Sequence, residues 1–253
     1  MSRAPETGDD EDGPVPVGRR SYEQFAGEYA AAAPTKPHNA LYERPATRSL
    51  IGDVRGLTIL DAGCGPGINA CALAEGGALV HAFDVTPAMV DLARERCRGL
   101  PVEIRPGDLA EPLEWLRDRT FDLVLCALAL DYVADLRTAF REFGRVTKPG
   151  GALVFSMGHP MRDWMDPRTR GGGSYFETRL FGLEWSGFGE ARPYVESFRR
   201  PLSAILNPLA AGGWALERVI EPEPLPAMRD VAPETYAELS REPAFLCIRA
   251  LRR

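Results

Sequence analysis

The sequence predicts an α/β fold, a doubly wound and mostly parallel sheet. Three observations carry that reading. Short apolar segments alternate with helical ones between residues 57 and 156. The chain between successive strands is long enough for right-handed crossover helices. Phe121–Cys126 is apolar apart from Asp122, as expected of a central strand buried on both faces.

Taken in order, residues 1–19 are acidic and contain glycine and proline (GDDEDGPVPVG at 8–18). That composition buries too little apolar surface to order a segment, so a disordered tail is expected. The remaining residues, 20–253, read as one domain. Ser21 is placed to cap a helix running to Ala33, with Tyr22, Phe25 and Tyr29 at helical spacing; Pro34 and Pro37 end it. Leu41–Leu50 reads as a second helix. Strand and helix then alternate: strand Leu57–Asp61, a glycine turn, helix Ile68–Glu75, strand Leu79–Asp84, and a helix from Pro87 to Cys97 with proline at its first position. Val102–Arg105 is a strand, Pro112–Leu116 a short helix, Phe121–Cys126 a strand and Leu136–Val146 a helix. Pro149–Gly151 is a turn and Ala152–Ser156 the fifth strand.

Beyond Ser156 the rhythm stops. Residues 157–200 hold Gly171–Gly173 and eight of the chain's 22 aromatic residues. Tyr175–Trp185 and Arg192–Arg199 are placed to pair as a hairpin across Gly187–Gly189. Pro201–Ala211 then reads as a helix, and Trp214–Ile220 and Ala244–Leu251 as closing strands.

The formal charge of −6 argues against nucleic acid as a partner. No apolar run approaches a membrane span, and Met1–Gly18 lacks the apolar core of a secretory signal, so a cytoplasmic protein with no membrane partner is expected. The five cysteines include no CxxC pair, and no carboxylate cluster suggests a metal.

The chemistry concentrates at Asp61-Ala62-Gly63-Cys64-Gly65-Pro66-Gly67. Glycines between a strand and a helix allow a tight turn and a close approach of ligand to backbone, and the following helix offers unpaired N–H groups. Asp84 ends the second strand, where a carboxylate can accept both ribose hydroxyls; Asp108 follows the third, where it can accept from an adenine amine while Leu109 lies against the ring. A dinucleotide turn needs a third glycine where this chain has Ile68. Asp61 would also repel a pyrophosphate while suiting an amino group, which favours an adenosyl ligand with an amino acid tail.

ILDAGCGPG at 59–67 resembles motif I of the class I S-adenosylmethionine-dependent methyltransferases. The resemblance continues through HAFDVTPAMVDLAR (81–94), GDL (107–109), FDLVLCALALDYV (121–133) and REFGRVTKPGGALVFS (141–156). The most similar branch is the small-molecule one of ubiquinone and menaquinone biosynthesis. It implies a Rossmann-like sheet of seven strands, with S-adenosyl-L-methionine as donor and S-adenosyl-L-homocysteine as product. By that resemblance Asp61, Gly63, Gly65 and Gly67 border the methionyl part. Asp84 takes the ribose, Val85 and Met89 lie near the adenine, and Asp108 and Leu109 frame the base. Cys126 and Ala127 line the pocket beside the sulfonium. Tyr22 or Tyr29 either closes over the cofactor or packs the helix onto the sheet.

Methyl transfer from a sulfonium is an in-line displacement that needs positioning, water exclusion and, for some acceptors, a base. His159, after the fifth strand, is the candidate base; the alternative is that it shapes the turn before Pro160. Asp131 stands where similar sequences carry a histidine. His38 is a weaker candidate and His81 a structural one. The insertion 157–200 reads either as an acceptor lid, with Trp164, Tyr175 and Trp185 joining Tyr132 around a small aromatic or apolar metabolite, or as a satellite core. The rival functional readings are a non-catalytic adenosyl-ligand-binding protein and an NAD-linked oxidoreductase.

Overall fold

A computed structural model describes residues 15–253. Most of the expected acidic tail, residues 1–14, lies outside the described residues. Its last three residues, 17–19, belong to helix α1 (Val17–Tyr22) and are not part of a disordered tail.

After α1 come α2 (Ala26–Ala32), a π-helical turn (Asn39–Glu43) and α3 (Arg44–Ser49). The alternating region follows: β1 (Thr58–Ala62), α4 (Ile68–Glu75), β2 (Leu79–Asp84), α5 (Pro87–Arg96), β3 (Val102–Pro106), β4 (Phe121–Ala127), α6 (Leu136–Val146) and β5 (Thr147–Gly158). The insertion contributes α7 (Pro160–Met165), α8 (Pro167–Arg170) and the strands β6 (Arg179–Glu184) and β7 (Tyr194–Arg199). The chain closes with α9 (Ser203–Ala211), β8 (Trp214–Ile220), α10 (Met228–Val231), α11 (Pro233–Leu239) and β9 (Phe245–Arg252).

Seven strands form one sheet in the order β3-β2-β1-β4-β5-β9-β8. The first five are parallel, and β9 inserts antiparallel to both β5 and β8. As expected, β4 lies in the middle. Successive residues of the inner strands enter opposite layers: Leu60, Val124 and Phe155 face one cluster, while Ile59, Leu123, Leu125 and Val154 face the other. Burying each such side chain contributes roughly 1.5–3 kcal/mol, which explains why these strands read as apolar runs. Helix α6 covers the first layer because Leu136, Ala139, Phe140, Phe143 and Val146 share one buried face. Its start is fixed by the Asp135 side chain, which accepts the Arg137 N–H at 3.0 Å.

Three local expectations are corrected. Ser21 is not a cap: it lies inside α1, and its Oγ donates to the Glu196 carbonyl (3.3 Å) and accepts the Glu196 N–H (3.1 Å) on β7. Pro112–Leu116 is a turn, not a helix. Its backbone groups are taken by α6, with the Leu113 N–H donating to Glu142 Oε2 and Arg145 donating to the carbonyls of Leu113 and Leu116. Pro149–Gly151 is a bend inside a longer β5. The register jumps from Phe121↔Thr147 to Leu123↔Ala152 across it, and Gly150 adopts a φ of 77°.

The expected hairpin exists, paired from Arg179↔Arg199 to Glu184↔Tyr194. It docks on α1 through Ser21 and through Arg20 Nε, 2.6 Å from Glu196 Oε2.

Candidate functional site

A cleft of about 990 Å³, counting space open to solvent, lies at the carboxyl ends of β1, β2 and β4. Open α/β sheets bind ligands at this edge because the strand order reverses direction there. Its floor contains the glycine turn. Gly63, Gly65 and Gly67 have φ values of 75°, 52° and 79°, a region that costs other residues strain. A Cβ on Gly65 would enter empty space in the cleft, whereas one on Gly67 would meet Ala93 at 3.0 Å. A Cβ on Gly63 would collide with the Ala129 Cβ, so Gly65 alone opens onto free space, Gly63 admits the loop after β4 and Gly67 lets α4 approach α5.

Asp84 holds the turn closed. Its Oδ2 accepts the Gly65 N–H at 2.8 Å and its Oδ1 accepts the Thr86 N–H at 2.9 Å. Burial raises its pKa. Asp108 Oδ1 accepts the Ala110 N–H at 2.8 Å, which turns the carboxylate along the cleft it lines. Val85, Met89, Leu109 and Ala127 complete the apolar part of this wall. Asp61 sits one layer behind the glycines, 1% exposed, with Oδ2 lacking any hydrogen-bond partner among the described residues. Burial pushes its carboxyl up to about 7.

The roof comes from the N-terminal segment. Tyr22 and Tyr29 line the cleft together with Tyr132 from below, and the Tyr22 and Tyr132 hydroxyls lie 2.6 Å apart. Burial raises the Tyr22 and Tyr132 phenols and pushes Tyr29 up to about 12, so all three are neutral donors. The same rings pack in the small core beside the sheet and line the cleft.

Several expected site residues lie elsewhere. Gly67, Cys126 and Asp61 are behind the cleft wall. None of residues 157–200 lines the cleft, Trp164, Tyr175 and Trp185 included. Trp185 stands behind Tyr22, 6.2 Å between rings. Trp164 and Tyr175 meet each other at 6.0 Å, and the Tyr175 hydroxyl accepts the Leu202 N–H. The insertion instead props the roof: Phe188 stacks on Tyr29 at 5.9 Å, and Lys36 Nζ lies 3.5 Å from the Phe188 ring centroid. Burial lowers the Lys36 pKa to about 8.

His159 is also outside the wall. Its Nδ1 accepts the Met161 N–H at 3.3 Å as the cap of α7, and its Nε2 lies 2.8 Å from Glu221 Oε1. Both ring nitrogens are engaged, so it shapes the turn before Pro160 and is not available as a base. His38 likewise stays outside the wall, and His81 lies in β2, with Nδ1 3.3 Å from Glu103 Oε2. Asp131 binds the Gly158 N–H with both oxygens, at 3.2 and 3.0 Å, away from the cleft.

Sequence reasoning missed Asn39, Glu43, Arg44 and Leu128, all in the wall. Glu43 had no legible signal, because it falls within a short helical stretch and its partners are far along the chain. Leu128 has a φ of 52°, which nothing in its residue type announces. Among the described residues there is no cluster of three metal-ligating side chains and no helix long and apolar enough to cross a membrane.

This architecture matches known proteins. The family described as a methyltransferase domain matches residues 60–155. The demethylmenaquinone methyltransferase of Tropheryma whipplei is 33% identical over 123 residues, 47% of this chain and 49% of that protein. The ubiquinone biosynthesis O-methyltransferase of Alkalilimnicola ehrlichii is 35% identical over 107 residues, 42% of this chain and 43% of that protein. The chain thus spans about half the length of the curated relatives it matches. A crystal structure of an S-adenosylmethionine-dependent methyltransferase from Mesorhizobium loti aligns at 30% identity with a TM-score of 0.66, over 83% of this chain and 97% of that one. The chain belongs to the S-adenosylmethionine-dependent methyltransferase family. The family implies S-adenosylmethionine as cofactor, and the cleft fits it. The space beside Gly65 admits a ligand, Asp84 and Asp108 offer acceptors at the ends of neighbouring strands, and the orphaned Oδ2 of Asp61, behind the turn, leaves unpaired negative charge near the end for an ammonium.

Proposed function

We propose that this chain transfers the methyl group of S-adenosylmethionine to a small aromatic or apolar acceptor. The observation that carries this reading is the pair of carboxylates Asp84 and Asp108, lining one cleft at the ends of β2 and β3, with Asp61 of β1 buried behind its glycine turn. Asp61 answers the amino acid tail beside Gly63 and Gly65. Asp84 accepts from the ribose hydroxyls, and Asp108 accepts from the adenine amine while Met89, Val85 and Leu109 enclose the ring. When bound, the cofactor supplies an activated methyl group, so the protein's work is to orient it and exclude water. The tyrosine roof does the latter, and Tyr132 presents a phenol to the acceptor. The names of the relatives, both acting in quinone biosynthesis, support an acceptor of that size and character.

Calorimetry with S-adenosylmethionine, S-adenosylhomocysteine and NAD tests the cofactor. Binding of both adenosyl ligands and none of NAD is expected; the reverse sinks the proposal. A labelled-methyl assay over simple phenols, quinols, amines and carbon acids then identifies the acceptor class.

A further inference from the structure

Of the three carboxylates that line the cleft, Asp84 and Asp108 are used by the cofactor reading above; the third, Glu43, is not. It is 3% exposed, and it lines the cleft. Its Oε1 is saturated by two hydroxyls, accepting from Thr47 Oγ1 at 2.7 Å and from Ser156 Oγ at 2.6 Å. Its Oε2 has no hydrogen bond among the described residues. That oxygen is not sealed from solvent, unlike Asp61 Oδ2, so a ligand in the cleft can reach it.

The place of Glu43 identifies the ligand's end. Ser156 pairs with Ala127 across β5 and β4. The Ser156 carbonyl and Oγ accept the Leu128 N–H at 3.0 and 3.1 Å. These two bonds hold Leu128 in its left-handed conformation immediately beyond β4. Strain of that kind persists only where surrounding bonds enforce it, and it gathers at functional sites. Glu43 is therefore anchored over the end of β4, away from the Asp84 and Asp108 end of the cleft.

Resting on the methyltransferase reading, we propose that Glu43 is the catalytic carboxylate facing the reacting methyl, and that the acceptor is an O–H or N–H compound whose proton it receives. The acceptor's oxygen or nitrogen bonds to the methyl carbon, and the carbon–sulfur electron pair returns to sulfur. The acceptor's proton passes to Glu43 Oε2 and leaves to solvent with product release. A sulfonium and a carboxylate are thus replaced by two neutral groups, which a low-dielectric cleft favours. The charged and titratable groups around Glu43 are Arg44 and Arg48 from α3, Tyr29 from α2 and Cys247 from β9. Burial outweighs them and raises the Glu43 pKa; a sulfonium alongside would restore the ionised form.

The variant Glu43→Gln tests this, because a glutamine oxygen can accept the same two hydroxyls. Affinities for S-adenosylmethionine and S-adenosylhomocysteine are measured by calorimetry at about pH 8, above the ordinary carboxylate range. These ligands share the ammonium and differ in the sulfonium. The expected result is a several-fold loss for the sulfonium ligand with the product's affinity unchanged, together with a fall of roughly 10²–10⁴-fold in turnover of the best acceptor in the panel. Equal losses for both ligands would make Glu43 an ammonium holder and overturn the proposal. Unchanged affinities and turnover with a lowered melting temperature would make it structural, and overturn it too. Wild-type protein that binds neither ligand would sink the methyltransferase reading itself, a separate outcome.

Discussion

At the scale of single residues, Asp61 is held by conflicting demands. Its place at the end of β1 removes it from water and pushes its carboxyl up to about 7, with Asp84 nearby adding to the effect. A ligand ammonium at Oδ2 would favour the ionised form. Affinity for S-adenosylhomocysteine should therefore strengthen as pH rises through about 7, and Asp61→Asn should be both weaker and flat with pH. Calorimetry between about pH 6 and 8 reads this directly. Asp163 gives a second pH dependence, on stability. Burial first, then the neighbouring Asp131 charge, raise it to about 7, and both carboxylates lie within 4 Å of where a Cβ on Gly158 would stand. Arg162 and Arg199 oppose the shift. Because its folded pKa lies above the unfolded value of about 3.9, its contribution is fully present below about pH 4 and lost as pH rises through about 7. Asp163→Asn should gain stability relative to wild type between pH 5 and 8 in paired urea titrations. An unchanged difference would show that Asp163 is solvated.

At the scale of elements, the roof and its prop form a unit distinct from the sheet. Phe25, Phe188 and Val195 make their own small core, with Tyr22, Tyr29, Tyr132 and Trp185 packed around it. Phe188 is 1% exposed, so Phe188→Ala should cost about 3–5 kcal/mol locally. The expected readout is faster amide exchange across residues 17–32 with the exchange of β1, β4 and β5 unchanged, and weaker adenosyl-ligand binding. Equal acceleration in the sheet would show that the roof does not move independently. The hairpin itself was legible in the sequence, because glycines flanked by aromatic and β-branched residues mark one wherever they occur. Its job was not. The spacing of Trp164, Tyr175 and Trp185 says that they are apolar, and only docking decides that they back the roof instead of touching the ligand. Pro112–Leu116 was misread for a related reason. A five-residue segment gains too little from its own hydrogen bonds, and the side chains of Glu142 and Arg145 satisfy it better as a turn.

At the scale of the whole molecule, both layers share the same central strands, so they should fail together. Phe155 on β5 is fully buried and meets Phe140 of α6 at 5.4 Å. Phe155→Ala should cost about 3–5 kcal/mol and lower the urea midpoint in a single transition with an unchanged slope. A changed slope or two transitions would mean that the layers unfold separately. The insertion of β9 between β5 and β8 belongs to this scale as well. The two closing strands were readable as apolar segments, but their order in the sheet depends on contacts made across the whole fold.

The sequence by itself determined the parallel α/β core, the central position of β4 and the cleft-lining residues Gly63, Gly65, Asp84, Val85, Met89, Asp108, Leu109 and Ala127, and it named Tyr22, Tyr29 and Tyr132. Each depends on features carried within a few residues: an apolar period, a glycine that tolerates positive φ, or a carboxylate at a strand end. Tertiary structure alone decided how the roof tyrosines pair and what Glu43 binds. The Tyr22–Tyr132 contact joins residues 110 apart and the Glu43–Ser156 bond residues 113 apart. Such pairings follow from how helices dock on the finished sheet, and no local period encodes them. His159 shows the same boundary from the other side. Its position after β5 was correct, and the partners that occupy both its nitrogens, the Met161 N–H and Glu221, were set by the fold around it.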